Sequence, residues 1–211
     1  MKLLQCTNSD RATRADARRE HLLETARALF VQRGFHRTGV AQIADASGVK
    51  VGQIYRDFNG KEDIIAAIVE RDIEGFLYEG ELADAIERGD RVAVRGWITR
   101  LTGVEEPIED CRMMTEILAE IARNDRMAEI NRRIEKRVRG SLATALASLV
   151  PSAADDQCLN MLAELIMTMC TGLMCRRIAS ETLDITMLHR TIEQIIDAEL
   201  ERCSRPALID G

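Results

Sequence analysis

A single glycine between two short apolar patterns constrains the fold of this chain more than any other feature. Apolar residues recur at helical spacing on both sides of Gly48. Glycine takes the positive φ that a sharp exit from a helix requires, at little steric cost. The pattern predicts two short helices about a tight turn, the second from about Val51 to Asp57. The apolar positions are Val40, Ile43 and Ala44 before the glycine, and Ile54 and Phe58 after it.

A longer helical pattern precedes this pair. Apolar residues repeat from Leu22 to Phe30, and Gly34 is placed to end the helix. We expect a helix from near Asp16 to Arg33 that supports the two short ones. Two short helices about a glycine turn form a helix-turn-helix, in which the second helix enters the major groove of DNA.

The informative positions extend beyond the turn. They are Arg19, Leu23, Ala26, Leu29, Phe30, Gly34, Phe35, Thr38, Ile43, Ala44, Gly48, Val49, Gly52, Tyr55, Phe58, Lys61 and Glu62. With these residues the segment resembles the DNA-binding domain of the tetracycline-repressor (TetR-type) family of transcription regulators. The resemblance implies a helical body behind that domain, an effector pocket within the body, and a dimer.

Resemblance and side-chain chemistry together suggest roles on DNA. Thr38, Tyr55 and Lys61 are expected to contact phosphates, which orient a protein without reading sequence. Gly52 would allow the second helix to approach DNA closely. Gln53 has the groups to bind adenine at N6 and N7, and Lys50 or Arg56 could reach guanine. The alternative for Gln53, Lys50 and Arg56 is that they are ordinary solvated surface residues without a role on DNA. The candidate DNA-binding residues are Thr38, Lys50, Val51, Gly52, Gln53, Tyr55, Arg56 and Lys61.

The charge of the chain is divided unevenly. Residues 1–61 contain 11 Lys and Arg against 6 Asp and Glu, whereas residues 62–211 contain 18 against 29. A basic module on an acidic body fits a protein that touches phosphates at one end only. Uneven surface solvation would also produce so small a surplus, so the charge division supports the motif without replacing it.

The composition favours an all-α protein of about nine helices. The chain has only 3 prolines and 3% aromatic residues, and no strand pattern or internal repeat. We expect a flexible N-terminal arm over residues 1–15, a three-helix helix-turn-helix DNA-binding domain over 16–61, and a helical ligand-binding and dimerisation domain over 62–211. A helix from Lys61 to about Ile86 should link the two domains.

One predicted helix, from about Asp155 to Ile178, is apolar around nearly its whole circumference. Its apolar run is shorter than the ~20 residues of a membrane span and includes Glu164, so we interpret it as a helix buried on all sides. That interpretation requires a partner chain. In the family the last two helices pair with their copies, which implies a homodimer here through this helix and one near residues 186–203.

The family also encloses an effector pocket among the middle helices of the body. Methionine-rich walls suit apolar ligands of varied shape, so the resemblance implies a small, mainly apolar effector. The alternative is that the same residues fill core. The candidate ligand-binding residues are Trp97, Leu101, Met113, Met114, Leu118, Met167, Cys170 and Met174.

Motifs of enzymes, metal sites and cofactor sites are missing from the sequence. The 3 histidines are scattered, and the 6 cysteines form neither a CxxC pair nor a Cys/His ligand pattern. No apolar signal segment opens the chain. We therefore expect a cytoplasmic protein that is not an enzyme, needs no cofactor and carries reduced thiols.

These observations predict a ligand-responsive DNA-binding transcription regulator. The expected form is a dimeric repressor that binds a near-palindromic, double-stranded operator and is released by its effector. An activator of the same fold is an alternative. Another is a helical metabolite-binding or interaction protein whose DNA-binding domain is inactive, because Gly39, Lys50 and Asp57 depart from the family pattern.

Overall fold

The computed structural model describes residues 3–102, 107–151 and 154–204, with side chains from Arg14 onward. Within these ranges the regular elements are ten helices, and the all-α prediction is confirmed. The helices are α1 (Leu3–Arg33), α2 (Val40–Ser47), α3 (Val51–Asp57), α4 (Lys61–Leu77), α5 (Glu79–Glu87), α6 (Arg91–Leu101), α7 (Ile108–Ile121), α8 (Asp125–Ser148), α9 (Asp156–Ala179) and α10 (Ile185–Cys203).

The helices form two compact units. The first comprises Met1–Asp72 and Glu116–Ile130, and the second comprises Ile73–Thr115 and Asn131–Gly211. The sequence placed a domain boundary after residue 61, whereas the first unit also contains most of α4 and the turn between α7 and α8. Residues of α4 are fully buried within it, which explains why the helix belongs there; they are Ile64, Ile65 and Ile68.

Helix α1 starts earlier than the sequence suggests. The backbone is helical from Leu3, whereas the prediction was a flexible arm over residues 1–15 and a helix from near Asp16. Residues 3–15 contain neither proline nor glycine, so no strong breaker interrupts the helical pattern. The predicted arm is therefore corrected to the N-terminal part of α1; residues 1 and 2 lie outside the described ranges.

The helix predicted from Lys61 to Ile86 is two helices, α4 and α5. They are separated at Tyr78, whose φ of 43° lies in the left-handed region. The indole N–H of the buried Trp97 donates a hydrogen bond to the carbonyl of Leu77, at the end of α4. A tertiary contact thus satisfies a carbonyl where the helix ends, and local sequence pattern does not reveal it.

Helices α9 and α10 are joined by a disulfide between Cys158 and Cys203. The two residues are 45 apart in sequence, and their Cα atoms lie 5.6 Å apart. The expectation of reduced thiols is wrong for this pair, because the packing of the two helices places the start of α9 beside the end of α10. Cys170 and Cys175 are free thiols.

Helix α9 has one face in the core of the second unit and another face exposed. Leu159, Leu162 and Ile166 are buried, whereas Met161 is 62% exposed. Helix α9 has 24 residues, and an 18-residue window within it has a mean hydropathy of 1.5, so by length and composition it would also suit a membrane span. Core helices of soluble proteins meet the same criterion, and the Glu164 carboxylate of α9 pairs with Arg139 at 2.9 Å, so we retain the prediction of a core helix.

Candidate nucleic-acid interface

The turn between α2 and α3 forms as the sequence predicts. Gly48 ends α2 with a φ of 70°, in the left-handed region that favours glycine. At the start of α2 the Gly39 N–H donates to the Gln42 side-chain oxygen at 2.8 Å, so the glutamine half of a capping box is present although glycine lacks the other half. The first feature turns the chain from α2 into α3, and the second stabilises the start of α2.

Helix α3 presents a polar, accessible face to solvent. Ile54 on its inner side is buried, whereas Tyr55 and Val51 are 55% and 40% exposed. The cations that precede and end the helix, Lys50 and Arg56, are exposed as well. One helix face thus combines a phenol hydroxyl with cations, groups suited to phosphates and base edges.

Gly52 lies on the exposed side of α3. A Cβ atom built on it meets nothing within 4 Å. The fold itself therefore does not require glycine at this position. A glycine at this position would instead allow another molecule to approach the helix closely.

Thr38 does not have the position that a phosphate contact requires. Its side chain is 0% exposed. The hydroxyl donates to the carbonyl oxygens of Gly34 at 2.9 Å and Leu29 at 3.3 Å, near the end of α1. We therefore withdraw its side chain from the candidate DNA contacts and assign it to the joint between α1 and α2.

The Lys61 side chain also contacts the loop between α1 and α2. Its ammonium donates to the Phe35 carbonyl at 2.8 Å and lies 4.2 Å from the centre of the Phe35 ring. An ammonium has three N–H donors, so this bond leaves others for a phosphate. Lys61 stays among the candidate contacts, with a second role in holding the loop before α2.

The C-terminal half of α7 supports this loop from elsewhere in the chain. The Phe35 N–H donates to the Glu116 carboxylate at 2.8 Å. The His36 Nε2 lies 2.7 Å from a carboxylate oxygen of Glu120, a side chain only 4% exposed. Neither glutamate is predictable from the sequence, because about 80 residues separate each from its partner and no local pattern marks the pair.

The start of α8 contacts the start of α4. The Arg126 guanidinium donates to Asp63 at 3.1 Å, and the Asn59 side-chain amide donates to Asp63 at 2.6 Å. The Asn59 hydrogen bond, with further help from Arg126, lowers the pKa of the Asp63 carboxyl below its usual value. Asp63 therefore contributes stability that is present above its unfolded pKa and is lost as pH falls through the folded pKa.

Two arginines of α1 reach the helix-turn-helix and were absent from the predicted contacts. The Arg19 guanidinium lies 4.6 Å from the centre of the Phe58 ring. Arg18 lies beside the side-chain amide of Gln53, with three contacts between 2.7 and 3.2 Å. Both are exposed. The helical period of α1 would place Arg18 and Arg19 on its surface, but nothing in the pattern links them to α3.

The predicted ligand-binding residues divide between the two units. Leu118 belongs to the first unit and the other seven belong to the second. Four of these seven share one hydrophobic core; they are Trp97, Leu101, Met167 and Cys170. Trp97, Leu101 and Met113 are buried, and the remaining members are partly buried.

Burial also decides the chemistry of Cys170. It raises the pKa of the thiol to about 12. The group is therefore a neutral thiol at neutral pH and lacks the thiolate that redox sensing requires. Cys170 therefore acts as a small apolar side chain.

The second unit also has open grooves at its surface. One of about 560 Å³ runs between α5 and α8, and its lining includes the apolar Leu82 and Ile86 and the cations Lys136 and Arg137. A second, of about 450 Å³, is lined in part by Trp97. Among the described residues, no group of three or more His, Cys, Asp or Glu is placed to hold a metal ion.

Comparison with protein families gives two matches. Residues 22–68 match the model of bacterial regulatory proteins of the tetR family. Residues 94–202, about half of the chain, match the model of the C-terminal region of BetI-type transcriptional repressors.

Curated relatives are similar over part of the chain. The transcriptional repressor KstR2 of Mycobacterium tuberculosis is 38% identical over 66 residues, which cover 31% of this chain and 31% of that protein. The transcriptional activator FasR of Mycolicibacterium smegmatis is 36% identical over 62 residues, covering 29% of this chain and 28% of that protein. The matched segment thus spans about a third of the length of these relatives.

Solved structures share the fold over nearly the whole chain. GusR of Salmonella enterica superposes with a TM-score of 0.68 at 23% identity, over 88% of this chain and 96% of that one. A transcriptional regulator from Saccharomonospora viridis, solved in complex with choline, has a TM-score of 0.68 at 19% identity, over 87% and 96%. At these identities the likeness establishes the fold, and the family rests on the sequence matches. Together they show that the chain belongs to the tetR family of bacterial regulatory proteins.

Proposed function

We propose that this protein is a ligand-responsive, DNA-binding transcription regulator that acts in the cytoplasm as a dimeric repressor. The observation that carries the proposal is the exposed polar face of α3, on a helix whose opposite side is buried in the first unit. Membership of the tetR family and the KstR2 relatives, which are named repressors, support it.

On DNA, the residues of this face divide by chemistry. Tyr55 and Lys61 contact phosphates and orient the helix, and Gly52 permits close approach to the groove. Gln53 and the exposed cations contact base edges. The revised contact set is Lys50, Val51, Gly52, Gln53, Tyr55, Arg56 and Lys61. Because a dimer presents two copies of α3, the operator is expected to be near-palindromic.

Loss of Tyr55 or Arg56 side chains should weaken operator binding without unfolding the protein. Tyr55→Ala removes a hydrogen bond to a charged phosphate, so the Kd should rise about tenfold or more. Arg56→Ala should relax selectivity at one base pair by about the same factor. Fluorescence anisotropy at fixed salt measures both, with duplexes from the promoter region of the gene itself.

The matched control is Arg112→Ala, which removes an exposed arginine of α7 in the second unit, 54% exposed, at the same change in charge. Its Kd should equal that of the wild type. If Tyr55→Ala, Arg56→Ala and Arg112→Ala all bind DNA alike, α3 does not contact DNA. That result would favour the alternative of a metabolite-binding protein whose DNA-binding domain is inactive.

The dimer is proposed to form through the exposed apolar faces of α9 and α10. Met161 and Leu165 lie four residues apart on α9, and Met187 and Ile195 lie eight apart on α10, so each pair shares a helix face. A second copy of this chain is the occupant that the family implies. A two-fold axis would bring each face against its own copy.

A charge introduced on this face should dissociate the dimer. In Met161→Glu the same carboxylate is buried twice about the two-fold axis, and like charges brought together cost several kcal/mol. Analytical ultracentrifugation should show a monomer. The variant should no longer occupy both half-sites of palindromic DNA as a dimer.

The control for this variant is Val92→Glu, which adds a carboxylate at an apolar residue of α6 that is 84% exposed. It should remain dimeric. A dimeric Met161→Glu would place the interface elsewhere on the molecule.

The effector is proposed to bind in the second unit, where Trp97, Leu101, Met167 and Cys170 share a core. This lining favours a small, mainly apolar molecule. The Saccharomonospora viridis regulator of the same fold was solved in complex with choline, a small organic cation. An effector that binds better to the DNA-free conformation weakens DNA binding, and DNA weakens effector binding by the same factor.

A further inference from the structure

A contact between α1 and α3 bears on how the proposed interface reads a base. The guanidinium of Arg18 lies against the side-chain amide of Gln53. When the amide oxygen faces Arg18, it lies 2.7 Å from Nε and 2.8 Å from a terminal nitrogen. In the opposite orientation the amide NH₂, a donor, would face only donors. Because guanidinium has no acceptor and carries a positive charge, electrostatics select the orientation with the oxygen inward.

The orientation of this amide determines which bases it can read. A free glutamine side chain pairs with adenine by accepting from N6 and donating to N7. In Gln53 the oxygen is already engaged by Arg18, so the NH₂ group is the one left for DNA. A donor matches guanine best, because O6 and N7 are both acceptors, and it also matches the O4 of thymine. Adenine offers the N7 acceptor, but its N6 donor would then face the amide NH₂ without an acceptor, which disfavours it.

We infer that Arg18 is a positioning residue that makes Gln53 a hydrogen-bond donor toward DNA. At the base that Gln53 faces, the protein then selects guanine or thymine, in place of the adenine that Gln53 alone would favour. The inference rests on the proposed function, in which α3 enters the major groove. It deepens that function by assigning a specificity role to a residue of α1.

The competing role for Arg18 is a direct phosphate contact, and it has a different signature. A phosphate contact carries no sequence information and adds about 0.9 to the slope of log K against log salt on B-DNA. A positioning role changes the ratio of affinities for different bases and acts only through Gln53. The two roles are therefore separable by base preference, salt dependence and a double-mutant cycle.

The experiment begins with selection of duplexes from a random double-stranded DNA library by the full-length wild type. The base that Gln53 faces is identified as the position where Gln53→Ala loses discrimination. For that position, Kd values are then measured for the four base pairs with the wild type, Arg18→Ala, Arg18→Lys, Gln53→Ala and the Arg18→Ala/Gln53→Ala double variant.

The wild type should prefer guanine or thymine at this position. Arg18→Ala should shift the preference toward adenine, by about tenfold in the Kd ratio, the discrimination of a good bidentate pair. Arg18→Lys keeps a cation beside the amide oxygen and should retain the wild-type preference. In the Gln53→Ala background, Arg18→Ala should leave the base ratios unchanged.

Three results would overturn the inference. One is a wild-type preference for adenine, and another is an Arg18→Ala variant with unaltered base ratios. A uniform loss of affinity with a smaller salt slope would make Arg18 a phosphate contact. If the wild type enriches no sequence at all, the proposed function fails and the inference falls with it; enrichment that is sensitive to Tyr55→Ala but not to Arg18→Ala defeats the inference alone.

Discussion

Removal of the Cys158–Cys203 disulfide should lower the free energy of unfolding by about 4 kcal/mol, because the bridge restricts the unfolded chain over a loop of 45 residues. Both cysteines are buried in the core of the second unit. The double variant Cys158→Ala/Cys203→Ala is preferable to serine, since it buries no hydroxyl. Urea unfolding followed by the fluorescence of Trp97, the single tryptophan, reports on that unit.

The control is Cys175→Ala, which removes an exposed free thiol and should leave the unfolding midpoint unchanged. Wild-type protein in strong reductant should approach the stability of the double variant. Equal midpoints for the wild type and the double variant, under oxidising conditions and with the bridge verified by mass spectrometry, would contradict the prediction.

Phe30→Ala should destabilise the first unit by about 3–5 kcal/mol, the cost of deleting a fully buried phenylalanine. The Phe30 side chain is 0% exposed, and its ring centre lies 5.4 Å from that of Phe35. Such a loss is a large part of the stability of a small unit, so DNA binding should disappear with the fold. Hydrogen exchange of the amides in α1–α3 should accelerate.

Tyr55→Ala is the matched control, since it also truncates an aromatic side chain of the first unit. Tyr55 is exposed, so its removal should change stability by no more than about 0.5 kcal/mol while it weakens DNA binding. Slow hydrogen exchange in Phe30→Ala, or accelerated exchange in Tyr55→Ala, would contradict this separation of folding from contact.

Local patterns were sufficient to predict the helix-turn-helix. Gly34 and Gly48 both have positive φ, and Ile54 is buried while Tyr55 is exposed. Each of these features depends on residues a few positions apart, where helical spacing and glycine conformation decide the structure. The fold class followed from the same periodicity.

The features that the sequence did not reveal depend on residues distant in the chain. Helix α4 ends at Leu77, where its carbonyl accepts from Trp97, twenty residues away. The disulfide joins residues 45 apart. Thr38 illustrates another difficulty, because a hydroxyl suits a phosphate and a helix carbonyl equally well, and only burial decides between them.

The Glu116 contact has a consequence for biosynthesis. The Phe35 amide and the carboxylate that accepts its hydrogen bond are separated by 81 residues, and the first unit contains chain up to Ile130. During translation, this contact of the first unit can therefore form only after α7 has been synthesised. A gene fragment that stops at Asp72 would encode all three helices of the motif without the acidic side chains that brace its first loop.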